Sequence, residues 1–263
     1  MQRKLFRYFG AKTALLDDIV NLVAPLYSAS AITCFVDVFG GGGNVLLNLP
    51  LEWKINRIYN DIDSRLYNLM LDLQNEQQRN VLFDKLFWSL SSRQIFNDFK
   101  TKEQNNSFEF LYRVLNSFNG GLNSYDIGIT TVRERYNHQL YLLKTNWKYM
   151  QNWDVECLDF EDLIKKYDSS TTFFYFDPPY LHGGATYKFH FELEDFERLK
   201  NTIINIKGFY LLNESGIDFD KIKEIFGNPN FVKKYANHVN SNRLQISSSN
   251  RNSHRLEGFW YNF

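Results

Sequence analysis

Residues 34–49 read CFVDVFGGGGNVLLNL. The apolar run Cys34–Val38 stops at a loop of four glycines, and an apolar, helix-like segment follows the loop. A second short run, Arg57–Asn60, comes next, and then a helical period over Ser64–Leu73. Strand, glycine turn, helix, strand is the order of a parallel, doubly wound α/β sheet. Upstream, Ala11–Tyr27 spaces Leu15, Leu16, Ile19, Val20, Leu22 and Val23 at helical intervals, which predicts a helix.

Downstream the alternation breaks off. Residues 79–90, 92–101, 107–118 and 131–148 predict helices around the loop NGGLNSYDIGIT at 119–130. It resumes with strands expected at Val155–Leu158, Thr171–Phe176, 208–213 and 230–236, and helices at 160–167, 193–206 and 217–225. The end, EGFWYNF, is strand-like. The expected architecture is one α/β sheet built by residues 1–73 and 151–263 and interrupted by a helical insertion over 74–150.

Composition bounds the function. The 263 residues are 44% hydrophobic with a formal net charge of zero, so a nucleic-acid partner would need a local basic patch rather than a global field. Cys34 and Cys157 lie beside apolar runs and predict reduced, buried thiols. The five histidines lack metal-ligand spacing, so no metal is expected. The N-terminus has no apolar signal-peptide core, and no uncharged apolar run reaches membrane-spanning length. A cytoplasmic, monomeric protein without a membrane partner is expected.

Two acids flank the glycine loop. Small residues at Gly40, Gly41, Gly42 and Gly43 let a ligand approach the backbone at a helix N-terminus. Asp61 follows Gly41 by 20 residues, at the end of the next strand, where an acid commonly binds two ribose hydroxyls. The third glycine of a dinucleotide fingerprint is absent, Leu46 standing there, so a pyrophosphate is not demanded. Asp37 can pair with a cationic group, and an adenosine carrying an ammonium or sulfonium suits Asp37 and Asp61 together. Further on, residues 173–182 read FFYFDPPYLH. A buried strand ends there on Asp177, Pro178, Pro179 and Tyr180, and the prolines fix the backbone as it leaves the sheet. Alone, that stretch fits a strand and a proline turn with Asp177 as cap equally well.

Taken in order, the glycine loop, Asp61 and Asp-Pro-Pro-Tyr resemble the Dam-type DNA adenine-N6 methyltransferases, over nearly the whole chain. Arg7-Tyr8-Phe9-Gly10-Ala11-Lys12 is similar to the family's Lys-Trp-Ala-Gly-Gly-Lys element, with Tyr8 in place of Trp. Phe39–Gly43 resembles the Phe-x-Gly-x-Gly loop, Asp159-Phe160 the Asp-Phe pair beside the cofactor adenine, and Leu212-Asn213 the step after the following strand. Ile246–Arg251 with Glu257-Gly-Phe-Trp-Tyr resembles the Ser/Arg-rich loop and last hairpin strand. The sequence departs from the family in the insertion, where Val114-Leu115 stand in place of Asn-Arg before Phe118-Asn119-Gly120.

The resemblance implies a Rossmann-like sheet, mostly parallel, of seven strands with a C-terminal antiparallel hairpin, and a target-recognition role for the insertion. It implies S-adenosyl-L-methionine as cofactor, held by Tyr8, Lys12, Asp37, Phe39, Gly40–Gly43, Asp61, Asp159, Phe160 and Asp177. It implies double-stranded DNA as partner and methylation of N6 on a flipped-out adenine. The adenine amine is conjugated and weakly nucleophilic. Asp177 and the Pro178 carbonyl would accept its two hydrogens and aim its lone pair, with Tyr180 stacking on the base. Arg133, Arg135, Arg243 and Arg251 are candidate phosphate contacts, and Asn119 and Asn123 candidate base readers. Cytosine-N4 methylation, a DNA-binding relative without catalysis, and an α/β nucleotide enzyme of other chemistry are the competing readings.

Overall fold

A seven-stranded sheet runs in the order β3-β2-β1-β4-β5-β7-β6. Its strands are β1 (Cys34–Asp37), β2 (Asn56–Asn60), β3 (Trp153–Glu156), β4 (Thr172–Phe176), β5 (Phe209–Ser215), β6 (Phe231–Ala236) and β7 (His254–Tyr261). The computed structural model describes residues 2–102, 106–117, 120–126, 132–180, 189, 191–215, 219–236 and 254–263. β3, β2, β1, β4 and β5 pair in parallel. β7 enters antiparallel between β5 and β6, as the seven-stranded expectation had it.

The helices are α1 (Leu16–Ser28), α2 (Asn44–Asn48), α3 (Ser64–Gln74), α4 (Glu76–Trp88), α5 (Arg93–Lys100), α6 (Ser107–Asn116), α7 (Val132–Asn146), α8 (Phe160–Tyr167), α9 (Leu193–Ile203) and α10 (Phe219–Phe226). β4, TFFYF, is buried at every position, because a central parallel strand is covered on both faces. Its alternation splits the core. Phe173 and Tyr175 join one apolar cluster, and Phe174 and Phe176 join the other.

The chain runs outward from β1 to β2 and β3, then returns to β4 on the other side of β1. The strand order therefore reverses between β1 and β4, and ligands of open α/β sheets bind at the carboxyl ends beside such a reversal. Asp37 closes β1 and Asp177 follows β4, so the reversal puts both acids at one edge.

Of the boundaries that differ from the sequence reading, two shape that edge. β3 lies two residues earlier than Val155–Leu158, because buried Trp153 pairs with Arg57. Leu158 has already left the sheet. Its N–H donates to Asn60 Oδ1 at 2.9 Å, and its carbonyl accepts from Asn60 Nδ2 at 3.1 Å. α1 begins at Leu16 rather than Ala11, after a 3₁₀ turn over Thr13–Leu15. Lys12 is thereby left outside the helix, and it is buried.

Helices α4–α7 follow α3 and share its core. Leu66, Leu69, Met70 and Leu73 of α3 belong to the same apolar cluster as Leu82, Phe96, Phe110, Tyr112 and Tyr136. Buried phenols fix the connections: Tyr112 donates to the Leu90 carbonyl at 2.6 Å, and Tyr136 to that of Leu86 at 2.7 Å. Among the described residues no helix is long and apolar enough to cross a membrane, and no cluster of His, Cys, Asp and Glu could hold a metal ion.

Candidate active site

The glycine loop is held from below. Gly40 N–H donates to the Asn60 carbonyl at 2.7 Å, and Gly43 N–H to that of Gly40 at 2.8 Å. A Cβ on Gly40 would lie 2.4 Å from the ring of Tyr59, which is fully buried and donates its hydroxyl to the Gly41 carbonyl at 2.8 Å. Gly40→Ala is therefore expected to cost about 1–3 kcal/mol of stability through overpacking, read as a lowered melting temperature. An unchanged melting temperature would show that Tyr59 can move. Gly41 and Gly43 have φ of +50° and +70°, backbone that a side chain strains.

Asp61 ties the loop to the next strand. One oxygen accepts from Gly41 N–H and the other from Asp63 N–H, each at 2.9 Å. Burial pushes its carboxyl up to about 6, against the pull of those two backbone donors. Asp37 is 1% exposed, and burial, then the charges of Asp177 and Asp61, raise its carboxyl well above the usual range.

Tyr8, Lys12, Asp37, Phe39, Gly40, Gly41, Gly42, Asp61, Asp159, Phe160 and Asp177 line one cavity of about 250 Å³. Gly43 is the exception in the expected set. It begins α2 and faces the Trp153 ring instead. One end of the cavity is apolar: Phe39 stands 6.2 Å from Phe160 and 5.5 Å from Phe191, centroid to centroid, with Ile62 and Leu158 beside them. The other end is polar, formed by Lys12, Asp37 and Asp177. Aromatic rings, a buried carboxylate and a buried charged cluster around one cavity suit a nucleoside carrying a charged tail.

The Asp-Pro-Pro-Tyr turn sits at the polar end. Lys12 Nζ lies 2.7 Å from Asp177 Oδ1 and donates to the Tyr180 hydroxyl at 2.5 Å. The same ammonium stands 4.6 Å from the Tyr180 ring centroid. Burial disfavours the charge on Lys12, but Asp177, Tyr180 and Glu257 outweigh it and hold the amine well above its ordinary value. Pro179 lines the cavity, and Pro178 is buried under the turn.

Several lining residues carried no sequence signal. Arg198 of α9 donates to Asp159 at 3.2 Å, Glu161 at 3.0 Å and Asp195 at 3.0 Å, with its guanidinium 4.8 Å from the Phe160 centroid. It lines the cavity beside Phe160. Asp159 is also occupied locally, since it caps α8 by accepting from Glu161 N–H at 2.9 Å. Phe191 precedes α9 and packs in the same apolar cluster as Phe160 and Phe196.

The candidate DNA contacts are dispersed. Arg135 donates to Asp126 at 2.5 Å, an ion pair within the helical region. Asn123 is exposed, and its carbonyl accepts from Lys100. Arg133 stands in the first turn of α7, and its side chain lies outside what is described. Asn119, Arg243 and Arg251 lie outside the described residues.

Residues 8–236 match the family model for D12 class N6 adenine-specific DNA methyltransferases. The chain is 25% identical over 217 residues to the type II methyltransferase M.MjaIII of Methanocaldococcus jannaschii, covering 71% of this chain and 72% of that protein. It is 27% identical over 274 residues to the modification methylase StsI of Streptococcus sanguinis, covering 92% of this chain but only 39% of that longer protein. The family match runs from the aromatic wall at Tyr8 past both acids of the strand reversal to the end of β6, and the chain belongs to the D12 class of N6 adenine-specific DNA methyltransferases.

Proposed function

We propose that this chain transfers a methyl group from S-adenosyl-L-methionine to N6 of an adenine turned out of duplex DNA. The observation that carries the proposal is the Asp177–Lys12–Tyr180 cluster at the polar end of a cavity whose other end is an aromatic slot. The cavity residues fit the cofactor. Phe39, Phe160, Ile62 and Leu158 would flank its adenine, and Asp61 would accept its ribose hydroxyls. Asp37 would face its ammonium, and the Tyr8–Lys12 segment would border its methionine end. Gly40, Gly41 and Gly42 line the cavity with backbone alone. S-adenosylmethionine, when bound, supplies a sulfonium methyl as electrophile.

The protein's part is to make the amine a nucleophile. Asp177 and the Pro178 carbonyl accept the two amine hydrogens, which draws the nitrogen toward tetrahedral geometry with its lone pair outward. Pro178 has no N–H, so no donor competes at that point. Lys12 engages Asp177 Oδ1 and orients the carboxylate, and it holds Tyr180 by its hydroxyl beside the place where the base would stack. As the amine gains positive charge, Asp177 stabilises it. Catalysis rests on positioning and electrostatics. A base inside a duplex cannot reach such a turn, hence the turned-out adenine. Residues 74–150 would read the target, and residues 1–73 and 151–263 would carry the chemistry.

The pH dependence of cofactor binding tests this reading. Ribose hydroxyls donate to a carboxylate, so the cofactor prefers ionised Asp61. With that carboxyl at about 6 in the free protein, affinity should be flat above pH 7 and fall as pH drops through 6. The expected loss is about tenfold between pH 7 and pH 5. For folding the sign is opposite. The folded chain binds this proton more tightly than an unfolded one, whose carboxyl sits near 3.8, so this group favours folding as pH falls. Calorimetric titration with S-adenosylmethionine at pH 5, 6, 7 and 8 measures the first effect. Absent binding, or affinity rising toward pH 5, would contradict the assignment.

A further inference from the structure

Buried acids stand beside Asp177 that the chemistry above leaves without a task. Alternate residues of a strand share a sheet face. Tyr175 and Asp177 after β4, Asn213 and Ser215 of β5, and Glu257 of β7 therefore share the face of Phe173, Leu211 and Phe259, which belong to one core. β4 and β5 pair Phe176 with Leu212, so Asn213 comes next to Asp177 in the row. Across the next pair, Ser215 stands opposite Glu257. Asn213 is fully buried and Glu257 is 4% exposed. Asn213 Nδ2 donates to the Gly258 carbonyl at 3.1 Å and reaches Glu257 Oε2 at 3.4 Å.

Lys12 is the buried cation electrostatically coupled to this row. Asp177 and Tyr180 from the turn after β4, Glu257 from β7 and Glu214 from β5 all act on it. Glu214 is 1% exposed and has an oxygen without a hydrogen-bond partner. Burial, then the charges of Asp177 and Glu257 acting against Lys12, raise its carboxyl well above the usual range, toward the neutral acid. Asp177 pairs directly with the ammonium, and Glu257 is the further anion on the same sheet face that acts on it. When a substrate amine arrives, Asp177 must serve the amine and Lys12 at once. A buried ammonium whose counter-ion is drawn elsewhere is poorly held unless a second anion supports it.

We propose that Glu257 is a positioning residue for methyl transfer, the second anion that keeps the Lys12 ammonium seated while Asp177 accepts from the amine. It acts through Lys12 and touches no substrate, and Asn213 steadies its carboxylate. The proposal rests on the Asp177–Lys12 reading given under Proposed function, and its test separates the two. Single-turnover methylation of unmethylated duplex DNA would be measured at saturating S-adenosylmethionine, with cofactor affinity from calorimetry. The proteins are wild type, Glu257→Gln, Glu257→Asp, Lys12→Gln and the double variant Lys12→Gln/Glu257→Gln.

Glu257→Gln is expected to slow transfer about tenfold, with cofactor affinity changed less than about twofold. Glu257→Asp should recover most of the rate. In the Lys12→Gln background the second substitution should slow transfer no further. A wild-type rate in Glu257→Gln, an additive loss in the double variant, or a loss that follows a lowered melting temperature and is not recovered by Glu257→Asp would overturn the proposal alone. A wild-type rate in Lys12→Gln would overturn the Lys12–Asp177 reading and the proposal with it.

Discussion

Asp177→Ala should lower the single-turnover rate of methyl transfer about 100- to 1,000-fold, the usual loss when one preorganised electrostatic partner of the transition state is removed. The effect should fall on the rate more than on substrate affinity, because the carboxylate acts chiefly as the amine becomes positive. The structure adds a second consequence. Asp177 is the 2.7 Å partner of Lys12, whose side chain is 6% exposed, so the alanine variant strands a buried ammonium. Breaking a fully buried pair from one side costs about 3–5 kcal/mol, and this pair, with the Asp177 side chain 16% exposed, should lose part of that. Asp177→Asn keeps the volume and one carbonyl acceptor but not the charge, so both its melting temperature and its rate should fall between those of wild type and alanine. Equal rates in all three proteins would remove Asp177 from the chemistry.

Asp61→Ala should weaken S-adenosylmethionine by at least about a hundredfold. Hydrogen bonds to a charged group contribute about 1.5–3 kcal/mol each, two ribose hydroxyls are available, and each 1.4 kcal/mol is a factor of ten. The carboxylate also organises the loop by accepting from Gly41 and Asp63 N–H, so part of the loss comes from a less ordered glycine turn. Asp61→Asn retains one acceptor oxygen and should lose roughly half as much in free energy. It should also abolish the fall in affinity below pH 6, because an amide does not titrate there. Calorimetry on the three proteins at pH 7 and pH 5 decides the matter. An asparagine variant with undiminished pH dependence would assign the titration to Asp37.

What could be read beforehand is what lies close together along the chain. The glycine loop and Asp61 sit on successive strand ends, and Asp177–Tyr180 are contiguous, so their meeting at one edge of the sheet follows from local order and strand polarity, while the roles proposed for them came with the family resemblance. The parallel sheet and the helical stretch after α3 follow from alternation and its interruption, and the antiparallel last strand came with the resemblance. The family match favours adenine over cytosine among the earlier readings.

Contacts made by distant, ordinary-looking residues could not be read. Arg198 is one charge on a surface helix until folding brings it over Phe160. Arg135 looks like a phosphate contact until Asp126, nine positions away in a turn, takes it as partner. Lys12 reads as the end of a short motif, yet its weight comes from Asp177 and Tyr180, more than 160 residues later. Asn213 and Glu257 each belong to a stretch that resembles the family, but their link to one another needs the antiparallel register of β5 and β7. β3 starts two residues before the expected Val155 because Trp153 is a buried strand residue paired with Arg57.

The central claim is that Asp177 and its turn aim an adenine amine at the methyl group of S-adenosylmethionine. Single-turnover methylation of unmethylated duplex DNA with labelled cofactor, wild type against Asp177→Ala, with the product nucleoside identified by mass spectrometry, tests it most directly. The account predicts N6-methyladenine from the wild type and a rate about 100- to 1,000-fold lower from the variant. A product methylated elsewhere, or a near-normal rate from Asp177→Ala, would contradict it.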